Sequence, residues 1–393
     1  MSRYLENPYF HDEASGASTV DDAWIRSQIK LIGRILSREQ LTPKYLRYSH
    51  AYSGTAGVAY ALFKAKDYLD EECLNQAVKH IRGTIFDDES HETQRRHFYL
   101  TGYIGSLTIY GHDTTADMDK ISKDLTVLSE VFADPNFEQD EIFNGRAGYL
   151  QAVNTLRHAT NKPVVSEDIV LSIIDQIVIS GKRYGRTESP LMYSYHGTEY
   201  LGAAHGLAGI LCTLYCFFDL LTLEQITLVR QASEWLLKTQ FPNGNFPSSL
   251  RTFIKPKASP QIHWCHGAPG VVYVALFMYK YFKVENYLEI AISSGELIWK
   301  EGVLKKGPGL CHGISGNAYP FIYLWRATND RKWLQRAKCF AKLMMDSNIV
   351  RQQDLIEAER YSLFEGWGGA ICLLVDLLNP KSAQFPLITM VDI

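Results

Sequence analysis

Two short strings in this chain combine residue types that bind metal ions: His263-Trp264-Cys265-His266-Gly267 and, 46 residues further on, Gly309-Leu310-Cys311-His312-Gly313. Between them they offer two thiolates and several imidazoles to one ion. Two sulfurs and one nitrogen suit Zn²⁺ and leave its fourth tetrahedral position open, the arrangement of a catalytic rather than a structural zinc. The strings therefore predict chemistry on a bound ligand.

Residues this far apart must be brought together by the elements around them, and those elements repeat. Glycine pairs recur at Gly54/Gly57, Gly102/Gly105, Gly145/Gly148, Gly206/Gly209, Gly267/Gly270, Gly313/Gly316 and Gly366/Gly369. Successive pairs lie 43 to 61 residues apart, which is room for two helices and their connections. Between them, Leu223 to Phe241 sets Ile226, Val229, Ala232, Leu236 and Leu237 mostly three and four apart behind a Thr222–Gln225 capping box, which predicts a helix. Tyr287 to Leu297 and Lys332 to Met345 read the same way, and no comparable set of alternating strand patterns occurs. A helix pair cannot bury its apolar face alone, so seven pairs must stack as an open solenoid or close on themselves. The expected fold class is all-α, a double-helical (α/α) toroid or barrel of seven helical-hairpin repeats. Closure is favoured because it gathers the turns, and with them Cys265, Cys311, His312, His205 and Glu365, at one mouth. Glycine pairs by themselves mean only tight helix entry and close packing. Packing does not need the histidines that directly precede Gly206, Gly267 and Gly313.

The composition permits such a molecule. With 393 residues and 46% hydrophobic content the chain can bury a large core, and its net charge of −3 without a basic cluster excludes nucleic acid as an expected partner. The stretch Met1 to Pro8 has no secretory signal, and Ser2 stands where myristoylation requires glycine, so a cytoplasmic location is expected. Seven cysteines at irregular spacing argue for reduced thiols; Cys73, Cys212, Cys216, Cys339 and Cys372 read as core residues. The apolar stretch Leu201 to Leu223 is interrupted by His205, Gly206, Gly209 and Asp219, and reads as a buried helix entered through a glycine turn. Two irregular stretches remain. Phe241 to Pro260, with four prolines, is expected to form a wall or lid beside the site; Ser347 to Arg360 is charged and precedes the seventh turn. Neither resembles a linker, so residues 1–393 are expected to form one domain.

The strings resemble the LanC-like proteins, eukaryotic relatives of the bacterial lanthionine cyclases. The resemblance runs along nearly the whole chain: Asn7-Pro8-Tyr9, Ser189-Pro190-Leu191-Met192-Tyr193, Gly202-Ala203-Ala204-His205-Gly206-Leu207-Ala208-Gly209, the two metal strings, and Ser362-Leu363-Phe364-Glu365-Gly366. It implies a seven-fold double-helical toroid, one Zn²⁺ held by Cys265, Cys311 and His312, and glutathione as ligand or co-substrate. It further implies that glutathione is added to dehydroalanine or dehydrobutyrine residues of peptides or proteins. Under this resemblance His205 is the catalytic acid or base, with His263 and His266 as rivals. His266 stands where bacterial cyclases usually have tyrosine. Glutathione contacts are implied for Lys306 and Arg3, and for Arg351 and Asp354 of an Arg-x-x-Asp string, although Leu355 to Arg360 lengthens the segment that follows. Glu365 reads as a helix N-terminal anion or as a partner of a metal ligand, the former being favoured.

The chemistry is coherent in itself. Zinc holds a bound thiol as thiolate at neutral pH, and with two protein thiolates present a third sulfur keeps its nucleophilicity toward a conjugated alkene. Two functions stay open: a zinc-dependent glutathione transferase that forms thioethers, and a non-catalytic zinc- and glutathione-binding redox or signalling adaptor. Association with signalling proteins or with the periphery of the plasma membrane is compatible with either. Prenyltransferase-like and glycosidase-like chemistries fit poorly, since Glu365 is the only obvious acid among the turn motifs.

Overall fold

The computed structural model describes residues 3–38, 49–86, 96–256, 260–354 and 356–390. Among these, helices are joined by turns, and the only β pairing is isolated bridges such as Tyr4 with Leu304. Two kinds of helix alternate. One kind begins directly at a glycine pair: Thr55–Lys64, Tyr103–Tyr110, Arg146–Thr160, Leu207–Tyr215, Ala268–Phe282, Ile314–Thr328 and Trp367–Leu378, each with the first glycine of its pair as the residue before the helix. These helices are apolar on almost every face; all nine residues of Leu207–Tyr215 are buried. The other kind is amphipathic. In Asp22–Leu36 the buried residues Ile25, Ile29, Ile32, Gly33 and Leu36 follow helical spacing, and Asp21 caps the first turn by accepting from the Trp24 N–H.

The second glycine of each pair has a packing reason. In the first helical turn its backbone lies against the carbonyl six residues earlier: a β-carbon at Gly148 would collide with the Ile142 oxygen, at Gly209 with that of Ala203, and at Gly316 with that of Leu310. Each turn is thereby folded tightly onto the helix it opens.

The chain divides into two compact units. The first takes its residues from Met1–Ser90 and Gly295–Pro386. Its two chain segments are stitched together early: the Leu5 N–H donates to Val303 O (2.7 Å) and the Asn7 amide to Trp299 O (2.8 Å). A buried pair, Lys64 with Asp376 at 2.8 Å, joins the helices Thr55–Lys64 and Trp367–Leu378, and the Tyr319 hydroxyl donates to the same carboxylate at 2.7 Å. Without such partners a buried charge would be strongly destabilising. The glycine turns of this unit touch through their backbones, Cys311 N to Phe364 O at 2.8 Å and Phe364 N to Tyr52 O at 3.1 Å.

The second unit takes its residues from His91–Ser294 and Leu387–Ile393. Its turns are joined in the same manner. Tyr99 N and Leu100 N donate to Phe143 O, Ile142 N donates to Ala204 O, and Gly202 lies so close to the Cys265 carbonyl that no side chain would fit. Arg146, 1% exposed, fixes the loop before its helix by donating to Asp140 and to the carbonyls of Phe132 and Asp134.

The expected helices are present with shifted ends: Leu223–Lys238 behind the Thr222–Gln225 capping box, Glu285–Glu301, and Arg331–Met345. The apolar stretch from Leu201 forms the buried helix Leu207–Tyr215, and no helix among the described residues is long and apolar enough to cross a membrane. Cys73, Cys212, Cys216, Cys339 and Cys372 are buried and form no disulfide, as core residues should be. The stretch 241–260, of which 257–259 lie outside the described residues, carries a short helix Leu250–Ile254 capped by Ser249.

Candidate functional site

In the second unit, His205 is the residue before Gly206 and is about a quarter exposed, with a side-chain accessibility of 24%. Its Nδ1 lies 2.7 Å from Oε2 of Glu141, a carboxylate with only 2% exposure. Glu141 also accepts from the backbone N–H groups of Phe143 (2.9 Å) and Asn144 (2.6 Å), so it closes the turn that opens the helix Arg146–Thr160. With two donors already on it, the carboxylate is set to accept from the imidazole. That fixes the proton on Nδ1 and leaves the Nε2 lone pair for chemistry. The ring is further clamped by stacking on Tyr195, with centroids 4.6 Å apart and planes parallel, and by Phe143 at 4.6 Å on a tilt. Asn144 donates to the Tyr195 hydroxyl and accepts from Thr101, which extends the support one turn further. Burial, aided by the charge of Glu141, raises the pKa of that hydroxyl.

Cys265 sits on the adjoining turn of the same unit. The turn is tight: His263 and His266 exchange backbone hydrogen bonds at 2.9 and 3.2 Å, and Gly267 has φ +109°, a conformation costly for any residue with a side chain. The Cys265 thiol is buried, 4.0 Å from His263 Nδ1. His266 faces Tyr200 with ring centroids 5.4 Å apart, and Tyr200 in turn lies 6.1 Å from the His205 ring.

In the first unit, Cys311 is buried and His312 half-buried. His312 Nε2 is 3.8 Å from Glu365 Oε1, too far for a hydrogen bond. Burial disfavours the imidazolium, but the neighbouring Cys311 sulfur and the Glu365 carboxylate outweigh it, and the pKa of His312 is raised. Glu359 shares this neighbourhood. A hydrogen bond to Glu365, burial and the charge of Glu365 push its pKa up to about 7. Lys306 is exposed and its charge reaches both His312 and Glu359.

The residues expected to contact glutathione are partly assembled in that unit. The backbone of Lys305 is held between two of them, its N–H donating to Arg3 O at 3.3 Å and its carbonyl accepting from Asp354 N at 2.6 Å. Arg3, Lys306 and Asp354 therefore flank one another along the chain surface, and all three are exposed. Arg351 does not join them through its side chain. Its guanidinium folds back onto its own short helix, donating to Ser347 O and Asn348 Oδ1. Leu355, the first residue of the lengthened segment, lies outside the described residues.

Sequence reasoning missed Glu141 and Glu359. Both lie in non-repeating segments, with no periodic pattern to mark them. A signal for Glu141 existed in retrospect: it stands four residues before Gly145, the first glycine of the third pair, where its carboxylate closes the turn.

Comparison with known proteins agrees with the geometry. Residues 48–390 match the family described as lanthionine synthetase C-like protein. A zebrafish (Danio rerio) protein named glutathione S-transferase LANCL1 is 33% identical over 350 residues, covering 85% of this chain and 84% of the relative. The Arabidopsis thaliana LanC-like protein GCL1 is 37% identical over 256 residues, 63% of this chain and 57% of that protein. The solved structure of nisin cyclase superposes with a TM-score of 0.66 at 16% identity, covering 88% of this chain and 93% of the cyclase. This last similarity bears out the expected fold class, the all-α double-helical toroid. With a family match over most of its length and that fold, the chain is a member of the lanthionine synthetase C-like family.

Proposed function

We propose that this protein is a thioether-forming transferase that joins glutathione to dehydroalanine or dehydrobutyrine residues of peptides and proteins, with one Zn²⁺ held by Cys265, Cys311 and His312. The reading draws on family membership and on the relative named a glutathione S-transferase. Two buried thiols outside any disulfide and a half-buried imidazole are a soft donor set, which suits zinc better than magnesium or calcium. When bound, the metal supplies a Lewis acid that keeps the glutathione sulfur ionised at neutral pH.

The observation that carries the catalytic reading is the His205–Glu141 pair at 2.7 Å on the turn beside Cys265. An imidazole whose tautomer is fixed by a buried carboxylate and whose other nitrogen is left open suits proton transfer. In the addition, a new bond forms between sulfur and the β-carbon and the alkene π bond breaks. His205 Nε2 takes the proton given up by the thiol and returns it to the α-carbon, so no atom is lost and no oxidant is needed. Glu141 stabilises the transient imidazolium and holds it in line. Lys306, with Arg3 and Asp354 beside it, would bind the charged ends of glutathione; Arg351 would join only after leaving its own helix.

The test is to incubate the zinc-loaded protein with glutathione and a dehydroalanine peptide and to follow the adduct by mass. The expected result is one glutathione gained per dehydroalanine at a rate above the enzyme-free reaction, abolished by chelation. A rate equal to the enzyme-free control, with zinc and glutathione both bound, would replace this reading by that of a non-catalytic adaptor.

A further inference from the structure

A cleft of about 670 Å³ opens in the second unit beside the candidate active-site histidine. Its inner end is Tyr200 and His266, the rings that lie against each other and, through Tyr200, against His205. Its outer wall is the short helix Leu250–Ile254 and the residues just after it, which carry Arg251 and Lys255. These two cations are four apart and exposed, and neither has an ion-pair partner among the described residues. Among the described residues no carboxylate lines the cleft. Glu199, between the lining residues Thr198 and Tyr200, accepts from the Leu250 N–H through its backbone carbonyl, while its carboxylate is turned to Arg186. The remaining lining is neutral and hydrogen-bonding, with Ser248, Ser249 and Gln261 among it.

A second cleft of about 370 Å³ adjoins the first and shares Ser248, Thr252, Pro256 and Gln261 with it. It is walled by Phe241, Pro242, Pro247 and Pro260 and is apolar in character. The two clefts form one furrow that is cationic next to the reacting end and greasy further away. The helix Leu250–Ile254 beside them is anchored: Ser249 and Thr252 cap each other, and Tyr200 pairs with Ser249 across an isolated bridge.

We propose that this furrow is the acceptor-recognition site, and that Arg251 and Lys255 select polypeptides carrying an acidic residue close to the dehydroamino acid. The inference rests on the transferase reading and names its acceptor class. Two exposed cations with no ion-pair partner among the described residues attract a carboxylate side chain by charge, and Arg251 can grip it with two parallel N–H donors. The neutral lining beside them accepts and donates to an extended backbone, and the proline-walled cleft takes an apolar side chain beyond the acidic one. Glutathione, which also bears carboxylates, is the competing occupant. The kinetic constants of the two substrates separate the cases.

The test uses the full-length, zinc-loaded protein with two dehydroalanine peptides that differ only in flanking Asp or Lys. The same pair with alanine in place of dehydroalanine serves for binding by fluorescence anisotropy. The expected result is at least tenfold tighter binding of the acidic peptide, weakened as salt rises, and a matching tenfold lower KM. In the variant Arg251→Glu with Lys255→Glu the preference reverses; in the milder Arg251→Gln with Lys255→Gln it disappears. Both pairs are solvent-exposed, and thermal unfolding monitors their fold. Equal binding of the two alanine peptides by wild-type protein would overturn the inference, as would a change confined to the KM for glutathione. Turnover without acidic preference would discard the furrow and keep the transferase. Acidic preference in binding without any turnover would keep the furrow and discard the transferase.

Discussion

His205 and His312 occupy the same position in their turns, one residue before the glycine that opens a buried helix, yet they are held in opposite ways. His205 is pinned at 2.7 Å by a carboxylate that also accepts from two backbone N–H groups, and its ring stacks on Tyr195. His312 has Glu365 at 3.8 Å and a thiol as its sequence neighbour. The local motif, His-Gly before an apolar helix, is therefore a mount rather than a function. On the proposed function, what the imidazole does is decided by the partner that a neighbouring turn brings. A buried carboxylate would make an oriented proton carrier; a loose one beside a thiol would leave a ring nitrogen for a metal.

The largest effects should come from removing one member of each set. Cys311→Ala should lose zinc, measured by elemental analysis of the purified protein, and glutathione binding with it, whereas His205→Ala should keep zinc and lose about 10²- to 10⁴-fold in kcat. Full zinc content in the cysteine variant would break the comparison at its root. Next come the two carboxylates. Glu141→Gln should lower kcat/KM by about tenfold or more and stability by about 1–3 kcal/mol, because two backbone N–H groups lose a charged acceptor. Glu365→Gln, acting across a distance beyond hydrogen bonding, should change zinc affinity by less than about threefold. Equal losses in the two variants would show that the difference between 2.7 and 3.8 Å has no chemical meaning.

The smallest effect sharpens the contrast from a histidine outside both turns. Burial drives the pKa of His80, in the helix Glu71–Phe86, down to about 4 from an ordinary 6.5, so the fold prefers its neutral form. The unfolded chain binds the proton more readily in that window. Stability is then complete above pH 6.5 and declines as pH falls toward 4. Thermal unfolding of His80→Gln should show a flatter acid limb than the parent protein over the same range.

Much of the fold was legible because the glycine pairs perform a geometric task that leaves a trace. Each opens a buried helix, and its second glycine must pass a carbonyl, so spacing alone located the seven helix entries. The Thr222–Gln225 capping box was equally readable, being local chemistry. The sequence was silent where contact crosses long stretches without pattern. Glu141 reaches His205 across 64 residues from a non-helical loop, and its place four residues before Gly145 marks a turn without naming the histidine that it meets. Arg351 shows the converse failure. Its spacing from Asp354 matched a motif, but a side chain four residues from Ser347 on a short helix satisfies itself locally. Arg251 and Lys255 looked like ordinary surface charges until the helix that carries them was seen to wall a cleft.

The composition of the two units has a consequence for synthesis on the ribosome. The second unit is built almost wholly from residues 91–294, so its core can close while the rest of the chain is still being made. The first unit cannot. Its opening strand-like residues find their partners only at Trp299 and Val303, and the helix Thr55–Lys64 finds its counter-charge only at Asp376. Lys64 and the faces of the helices Asp22–Leu36 and Thr55–Lys64 that pack on Trp367–Leu378 must therefore wait, exposed, for more than two hundred residues of translation. The N-terminal quarter of this protein is the part that should depend most on chaperones and be first to aggregate when elongation stalls.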